Sequence, residues 1–378
     1  MIPPTRRRTL AGLAATAALP LARAQAASWS ADSLQAAAAR KGLAYGSAVN
    51  ITPLRRDPAY GAAIARECGI VTAENAMKME HVLPDPGRVT FQGGDETLRF
   101  AAANGQGMRG HCLVWHRATP DWVLPRIGTA REAEAFLRRW IDGMAHRYRG
   151  RIEAWDVVNE ILAPQEGRAD GLRHTPWLAA LGPAYIDLAF GMLRDTDPKA
   201  VGVWNEDDCE LGADWIDRRR ALVLTTLDGL LKRGVPVRRF GMQGHLDSTI
   251  PLDAKALRAF LREIAGRGLA IEITEFDVDD RAFPAEIAAR DRGVADRARA
   301  FLDVVLDEAA VLNVVSWDIT NAGTWLNHSP QRKRPDGLAQ RALPLDAQYR
   351  RTPLWQAMRR AFEGAPDHRE TRARLRRD

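Results

Sequence analysis

Two short stretches of the sequence each end an apolar run with a glutamate. Residues 154–158 are apolar apart from Asp156 and lead into Asn159 and Glu160. A second run, residues 269–275, ends in Glu275. Such runs predict buried strands with polar side chains at their tips. Two carboxyl groups placed there could hydrolyse a glycosidic bond, because one can stay protonated to donate to the leaving oxygen while the other, ionised, attacks the sugar or activates water. Either glutamate alone would equally suit a salt bridge.

Eight strand-like segments alternate with amphipathic helical segments along the chain. Strands are predicted at residues 43–49, 70–74, 107–115, 153–160, 201–205, 239–246, 269–277 and 313–320. Helices are predicted around the apolar positions in residues 136–148, 222–231 and 257–264, and at 286–310 and 353–362. Eight strands followed by helices indicate an α/β fold, a single (β/α)8 TIM barrel, whose parallel strands are apolar on both faces. A doubly wound open sheet is the alternative, but it gives no reason for the even spacing.

Polar and aromatic residues fall at the predicted carboxyl ends of these strands, where the chemistry of such barrels gathers. They are Glu74, Asn75 and Lys78 after the second strand, His111, Trp115 and His116 on the third, Gln243 and His245 on the sixth, and Trp317 and Trp325 on and after the eighth. Polar tips on six strands of one barrel converge on one point, which predicts a ligand there. Sugars suit this mixture, because polar groups bind their hydroxyls and aromatic rings stack on their C–H faces.

The first 26 residues are predicted to be an export signal. Arg6, Arg7 and Arg8 precede an apolar run at residues 10–21, and Ala24-Gln25-Ala26 offers a cleavage site. The paired arginines favour the twin-arginine route and a periplasmic or secreted product. The apolar run is too short to span a bilayer comfortably, so no membrane association is expected after cleavage.

Cleavage of this segment changes the charge of the chain and bounds its domains. Four arginines leave with it, so the formal net charge falls from +6 to +2 and indicates no nucleic-acid partner. Residues 27–365 are predicted to form the catalytic barrel, and residues 366–378 a basic, solvated tail. The three cysteines, Cys68, Cys112 and Cys209, are far apart and lack metal-type spacing, so neither a disulfide framework nor a metal site is expected.

Two sequence motifs also match a known family. W-D-V-V-N-E at residues 155–160 and I-T-E-F-D at 273–277 resemble the acid/base and nucleophile signatures of glycoside hydrolase family 10, the endo-β-1,4-xylanases. The polar segments at the ends of the other predicted strands are similar to further motifs of that family, in the same order, over residues 28–364. The resemblance implies a TIM barrel that hydrolyses xylan or xylo-oligosaccharides with retention and without a cofactor, and we expect a monomer.

The resemblance also implies roles for single residues. Glu160 resembles the general acid/base and Glu275 the nucleophile, so their carboxyl groups should lie about 5–5.5 Å apart. Partial burial and the charge of Glu275 should raise the pKa of Glu160. The remaining substrate-binding residues implied are Asn159, Gln243 and His111 at the cleavage-site sugar, His245 beside the nucleophile, Glu74, Asn75 and Lys78 at the next sugar, and Trp115, Trp317 and Trp325 as aromatic walls.

The sequence departs from the family pattern at several positions. Asp207 stands where the family has a tyrosine that stacks on the leaving-side sugar, and Met79 where it has a tryptophan. Ala118 replaces a common glutamine, while Asp318 and Asn321 replace glycine and aspartate. The two catalytic motifs are intact. The departures therefore put in doubt the affinity for the sugar on the leaving-group side, and with it the rate and the preferred chain length.

Three other functions compete with this interpretation. A metal-dependent hydrolase could use His111, His116 and His245, although no H-x-H or H-E-x-x-H word is present. A non-catalytic sugar-binding barrel would keep the tryptophans but lose a glutamate. Within the enzyme class, another β-1,4-glycan such as a glucan stays open.

A basic loop at residues 331–335 follows Trp325 and should lie beside the cleft. Arg332 or Arg334 could bind a carboxylate on a branch of the substrate, because the planar guanidinium matches a carboxylate. The alternative is a solvated loop without such a role.

Overall fold

The computed structural model describes residues 29–375. The predicted signal peptide and residues 376–378 of the predicted tail lie outside the described residues. Ten strands are present in the described chain: β1 (Ala44–Val49), β2 (Ile70–Ala73), β3 (Gly107–Gly110), β4 (Val114–Trp115), β5 (Ala154–Asn159), β6 (Val201–Glu206), β7 (Arg239–Met242), β8 (His245–Leu246), β9 (Ala270–Val278) and β10 (Val311–Ser316).

These strands close into a parallel barrel with eight positions around its wall. The order is β1, β2, β3, β5, β6, β7, β9 and β10, and β10 pairs again with β1 to complete the ring. The short strands β4 and β8 continue β3 and β7 and pair with β5 and β9. The predicted TIM barrel is therefore confirmed.

Two of the predicted strands are broken. The third is interrupted at residues 111–113 and the sixth at residues 243–244, so each consists of two short pieces. Cys112, which was predicted to lie inside a strand, lies in the first gap but is buried. The eighth strand begins at Val311 and ends at Ser316, so Trp317 follows the strand rather than belonging to it.

Helices surround the barrel between its strands. Their bounds are α1 (Leu34–Ala39), α2 (Ile51–Arg56), α3 (Pro58–Glu67), α4 (Met79–Val82), α5 (Gln92–Ala103), α6 (Ala130–Tyr148), α7 (Pro176–Leu181), α8 (Ala184–Thr196), α9 (Asp214–Lys232), α10 (Ala254–Gly266), α11 (Ile287–Val305), α12 (Pro353–Gly364) and α13 (Arg369–Leu375). Four 3₁₀ helices lie at His116–Ala118, Asp121–Arg126, Pro164–Glu166 and Trp325–Asn327. Among residues 29–375, no helix is both long and apolar enough to cross a bilayer.

The helices pack on the barrel through apolar faces with helical periodicity. In α10, Leu257, Phe260, Leu261 and Ile264 are all buried, as predicted, and the Asp253 side chain accepts the N–H of Ala256 to cap the helix start. The helix predicted around the apolar positions of residues 222–231 is present as α9, but only some of those positions are buried. Leu227 and Leu230 are buried, but the rest of the buried face is formed by Ile216, Val223 and two arginines. Those arginines reach the loop after β6, where carbonyl and carboxylate oxygens accept their N–H groups.

Charged side chains fill part of the barrel interior. Arg109 on β3 donates to Asp156 on β5 at 2.6 Å and to Glu272 on β9 at 2.8 Å, and Arg239 on β7 donates to Glu272 at 2.6 Å. Burial alone would raise the pKa of Glu272, but the charges of Arg109 and Arg239 lower it to about 2. A buried ion pair is costly to break from one side. This network therefore fixes the strands directly beneath the polar tips.

The beginning of the predicted tail is not a solvated end. His368 is fully buried, and its two ring nitrogens lie 3.0 Å from the Val311 carbonyl oxygen and 2.9 Å from that of Leu306. Helix α13 follows and has no buried residue. The apolar pattern could not show this contact, because His368 satisfies main-chain acceptors rather than filling a hydrophobic position.

Candidate active site

The twelve residues predicted for the site lie at the carboxyl ends of the barrel strands. They come from the tips of β2, β5 and β9, the β3–β4 and β7–β8 segments and the chain after β10. Hydrogen bonds and ring contacts connect all of them into one cluster. Convergence of the polar tips, which the alternation of strands and helices predicted, is therefore observed.

Glu275 is a buried carboxylate with specific donors on both oxygens. Asn205 Nδ2 donates to its Oε1 at 2.7 Å, and His245 Nε2 lies 3.4 Å from its Oε2. Burial by itself would raise the pKa of Glu275, but the His245 hydrogen bond and the charges of His111, His245 and Lys78 lower it to about 2. Glu275 is therefore ionised at all ordinary pH values, as a nucleophile requires.

His245 is held in place by Asp277 on the same strand as Glu275. The His245 Nδ1 atom lies 2.9 Å from Asp277 Oδ1, and Trp325 Nε1 donates to Asp277 Oδ2 at 2.8 Å. Burial opposes a charge on His245, but Asp277 and Glu275 raise its pKa well above the ordinary value. The imidazolium can therefore keep Glu275 ionised while Asp277 and Trp325 fix its orientation.

Glu160 has a different environment at the tip of β5. Trp115 Nε1 donates to its Oε2 at 3.0 Å, and Gln243 Nε2 donates to its Oε1 at 3.1 Å. Burial raises the pKa of Glu160, and the charge of Asp207 raises it further, while the Trp115 and Gln243 hydrogen bonds act against both. The predicted rise is confirmed in direction. Its main charged cause differs from the prediction, because Asp207 contributes more than Glu275.

Asn205 connects the two glutamates and was not among the predicted site residues. Its fully buried side-chain nitrogen Nδ2 donates to Asn159 Oδ1 at 2.8 Å as well as to Glu275, and its side-chain oxygen Oδ1 accepts from the Thr274 hydroxyl at 2.6 Å. A side chain at Gly241 of β7 would not fit beside it, because a Cβ there would lie 2.5 Å from Asn205 Oδ1. Asn159 in turn donates to Glu160 Oε1 at 3.4 Å.

Both Asn205 and Asp277 had a signal in the sequence. Asn205 ends an apolar strand, as Asn159 does, and Asp277 stands two residues after Glu275 on one strand, where side chains share a face. Their positions at strand tips could therefore have placed both in the site.

His111 lies against the barrel network at the floor of the cleft. Its Nδ1 is 2.9 Å from Asp156 Oδ2, and its ring packs edge-on against Trp317 with centroids 5.2 Å apart. Burial lowers its pKa, but Cys112 and the Asp156 hydrogen bond outweigh this and raise the pKa to about 10. Within residues 29–375, no three His, Cys, Asp or Glu side chains are arranged to hold a metal ion.

A second polar group extends from the tip of β2. Lys78 Nζ donates to Asn75 Oδ1 at 2.8 Å, and Asn75 Nδ2 donates to Glu74 Oε1 at 3.0 Å. The Lys78 ammonium lies 4.7 Å from the ring centre of Trp115 and 5.9 Å from that of Trp317. Hydrogen-bonding groups and two aromatic walls are thus combined on one side of the glutamates, as sugar binding requires.

The two arginines of the loop at residues 331–335 are already paired within the protein. Arg332 donates to Asp247 at 2.8 Å, and the buried Arg334 contacts Asp280 at 3.1 Å and Asp336 at 2.6 Å. The alternative of a solvated loop is wrong for Arg334, which is buried. Its burial and internal pairing argue against a contact with a substrate carboxylate, whereas such a contact of the partly exposed Arg332 stays a prediction. Sequence alone could not show the pairs with Asp247 and Asp280, because these two acids belong to other loops, whereas Asp336 lies two residues after Arg334 in the same loop.

The other departures from the family pattern lie in packed surroundings. Met79 begins α4 and is buried in the main core, and Ala118 is also buried. Asn321 accepts the Leu343 N–H at 2.8 Å. Burial raises the pKa of Asp318 to about 7. The three cysteines are buried and free.

Comparisons with known proteins extend over the same part of the chain. The sequence model of glycosyl hydrolase family 10 matches residues 33–361. Endo-1,4-beta-xylanase B of Paenibacillus barcinonensis is 33% identical over 302 residues, which cover 76% of this chain and 87% of that protein. Native xylanase 10B from Thermotoga maritima has a TM-score of 0.79 at 28% identity and covers 88% of this chain and 98% of its own. Xylanase 10B from Thermotoga petrophila RKU-1, solved with xylobiose, also has a TM-score of 0.79 at 28% identity, with coverages of 88% and 97%.

Proposed function

Because this chain belongs to glycosyl hydrolase family 10, whose xylanases are retaining and use two glutamates, we propose that it cleaves internal β-1,4-xylosidic bonds by double displacement. Glu160 acts as the general acid/base and Glu275 as the nucleophile. The substrate is xylan or xylo-oligosaccharide, the class of ligand named for the Thermotoga petrophila relative. No cofactor is needed for this reaction.

The main support for this proposal is that the pKa values of the two glutamates are shifted in opposite directions. The pKa of Glu275 is lowered to about 2, while burial and then the charge of Asp207 raise the pKa of Glu160. A pair of carboxyl groups whose environments separate their pKa values in this way supplies one base or nucleophile and one acid. The expected separation of about 5–5.5 Å between the two carboxyl groups stays a prediction for a retaining pair.

In the first step, a Glu275 oxygen bonds to the anomeric carbon as the glycosidic C–O bond breaks. The leaving oxygen takes the proton of Glu160, which becomes a carboxylate. In the second step Glu160 removes a proton from water, and that water displaces Glu275 from the sugar, so the β-configuration is restored. The Asn159 amide stands beside Glu160 and is placed to bind a hydroxyl of the reacting sugar, a contact that supports the transition state.

Product profiles on several polysaccharides test the substrate class. We expect xylan and xylo-oligosaccharides to yield short xylo-oligosaccharides, with cellulose cleaved at least tenfold more slowly, about the discrimination that one extra group in a closed pocket produces. Chromatography of parallel digests measures this. Equal rates on cellulose would favour the glucan alternative, and no cleavage of any substrate would favour a sugar-binding barrel.

We also propose that the protein is exported and acts as a monomer. The N-terminal arginines and apolar run support export, and a single chain supplies every residue of the site described above. Mass spectrometry of the secreted or periplasmic protein should show an N-terminus near residue 27, and light scattering should give the mass of one chain. A secreted or periplasmic product that retains residues 1–26 would contradict cleavage of the signal, and a protein found only in the cytoplasm would contradict export.

A further inference from the structure

Asp207 lies beside Glu160, but the double displacement does not use it. Strands β5 and β6 are paired with Asn159 opposite Asn205, and the Glu160 N–H donates to the Asn205 carbonyl oxygen at 3.0 Å. The two chains therefore leave the barrel side by side. Asp207 is the first residue after β6, and its side chain remains 26% exposed.

Arg219 of α9 holds Asp207 in this position. Its Nε donates to the Asp207 carbonyl oxygen at 3.0 Å, and its Nη2 contacts the carboxylate. The same Nη2 donates to Glu206 Oε1 at 2.8 Å and to the Leu162 carbonyl oxygen at 3.1 Å. One buried guanidinium thus contacts two carboxyl groups, and these contacts fix the position of Asp207.

The other ionisable groups near this tip are His116, Arg173 and Arg117. Burial, and then the charges of Arg173 and Arg117, lower the pKa of His116 to about 4, so His116 is uncharged at neutral pH. Arg173 donates to the carbonyl oxygens of Glu160 and Leu162 at 2.8 and 3.0 Å. The exposed Arg117 has its guanidinium 6.0 Å from the Trp115 ring centre.

Asp208 adds a further carboxyl group to the same loop. Burial is the largest cause that raises the pKa of Asp208, and the charge of Asp207 is the second largest. Asp207 also supplies the largest charge effect on Glu160, where it raises the pKa after burial does. Asp207 therefore acts as a negative charge on both neighbouring carboxyl groups, Asp208 and Glu160.

The two glutamates define the direction of the substrate. In the order of strands around the barrel, β6 lies on one side of β5 and β9, the strands of the two glutamates, and β2 lies on the other side. Asp207 follows β6 and Lys78 follows β2, so the two side chains belong to opposite sides of that pair. If Glu160 protonates the leaving oxygen, the leaving sugar lies on its side of the cleft. Lys78 and its partners then lie on the opposite, glycone side, and Asp207 lies on the leaving side.

We propose that Asp207 determines specificity on the leaving-group side, where its carboxylate disfavours xylan whose leaving-side sugar carries an acidic, uronate-type branch. This inference rests on the proposed function. Like charges repel, and a site can reject a competing substrate through such repulsion. Because Asp207 is partly exposed and paired, the effect should be about threefold at low salt and should weaken as salt screens it.

The test compares a neutral xylo-oligosaccharide with the same oligosaccharide carrying one uronate branch. The leaving-side sugar becomes the new non-reducing end, so mass spectrometry of the products shows on which side of the cut the branch was bound. Wild-type products should seldom carry the branch at the new non-reducing end. Asp207→Asn should increase that product about threefold, and salt should do the same to the wild type.

A second readout separates this effect from a structural one. Removal of the Asp207 charge should lower the pKa of Glu160, so the alkaline limb of the kcat/KM profile on the neutral substrate should move to lower pH. Asp228→Asn is the matched control, because Asp228 also pairs with an arginine, Arg267 at 2.8 Å, but lies towards the other end of α9. The control should change neither readout.

Two results would overturn the inference, and they differ from failure of the proposed function. One is a wild-type enzyme that places the branch freely at the new non-reducing end at low salt. The other is an active Asp207→Asn variant with an unchanged branch position and alkaline limb. If the wild type fails to cleave the neutral oligosaccharide, the proposed function itself is wrong and the inference falls with it. The salt series on the wild type decides the matter even if the variant does not fold.

Discussion

Replacement of Glu275 by glutamine should abolish turnover on xylan and on xylo-oligosaccharides while leaving the fold intact. An amide cannot form the glycosyl ester, so the rate should fall by several orders of magnitude, about 10⁴-fold or more. Glutamine keeps an oxygen that can accept the Asn205 hydrogen bond, now 2.7 Å long. Initial rates, thermal unfolding and xylobiose binding should be measured together.

Glu263→Gln provides the matched control for this variant. Glu263 is an exposed glutamate on α10, paired with Arg267 at 2.9 Å, and its loss should leave the rate unchanged. Since the charge of Glu275 helps to raise the pKa of His245, removal of that charge should also lower the His245 pKa. A Glu275→Gln enzyme that keeps more than about a tenth of the wild-type rate would exclude this residue as the nucleophile.

The barrel and its catalytic edge could be predicted because local sequence patterns indicate both. Apolar runs fixed the strands, and polar residues at their ends had to meet, since parallel strands of one barrel share a carboxyl edge. The breaks at residues 111–113 and 243–244 gave no such signal. The gaps, His111-Cys112-Leu113 and Gln243-Gly244, are flanked on both sides by residues that pair as strand, and only the pairing with neighbouring strands shows that the hydrogen bonds are interrupted.

Contacts between distant loops were the least predictable part of the site. Arg334 belongs to a basic run in the sequence, but its partner Asp280 lies 54 residues away in the chain after β9. The effect of Asp207 on Glu160 is of the same kind, because it depends on two loops leaving neighbouring strands together. A single sequence shows which residues end a strand. It does not show which charged side chains after those strands lie close to one another.

Replacement of Glu160 by alanine should separate the two steps of the reaction by their need for a proton. On xylan, whose leaving sugar must be protonated, the rate should fall by about 10²–10⁴-fold. On an aryl xylobioside with a good leaving group, formation of the glycosyl-enzyme needs no proton and should be slowed far less. The second step, which needs Glu160 as a base, then limits turnover, so a burst of released phenol should precede a slow steady state.

The pH profile of the wild type gives the same residue a second test. Because the pKa of Glu160 is raised by burial and then by Asp207, Glu160 keeps its proton above the ordinary range, and kcat/KM should fall as the pH rises through that pKa. Because the pKa of Glu275 is about 2, the nucleophile should lose activity only as the pH falls towards that value. In Glu160→Ala, the alkaline limb should disappear on the aryl substrate.

Azide offers a chemical check on this assignment. In Glu160→Ala, the space left by the side chain should admit azide, which is an anion and needs no general base. Azide would displace Glu275 from the anomeric carbon with inversion, restore the steady-state rate and give a β-glycosyl azide. Proton NMR of the wild-type reaction should likewise show the β-anomer first, as double displacement requires. An initial α-product from the wild type would mean a single inverting displacement, in which Glu275 activates water instead of bonding to the sugar.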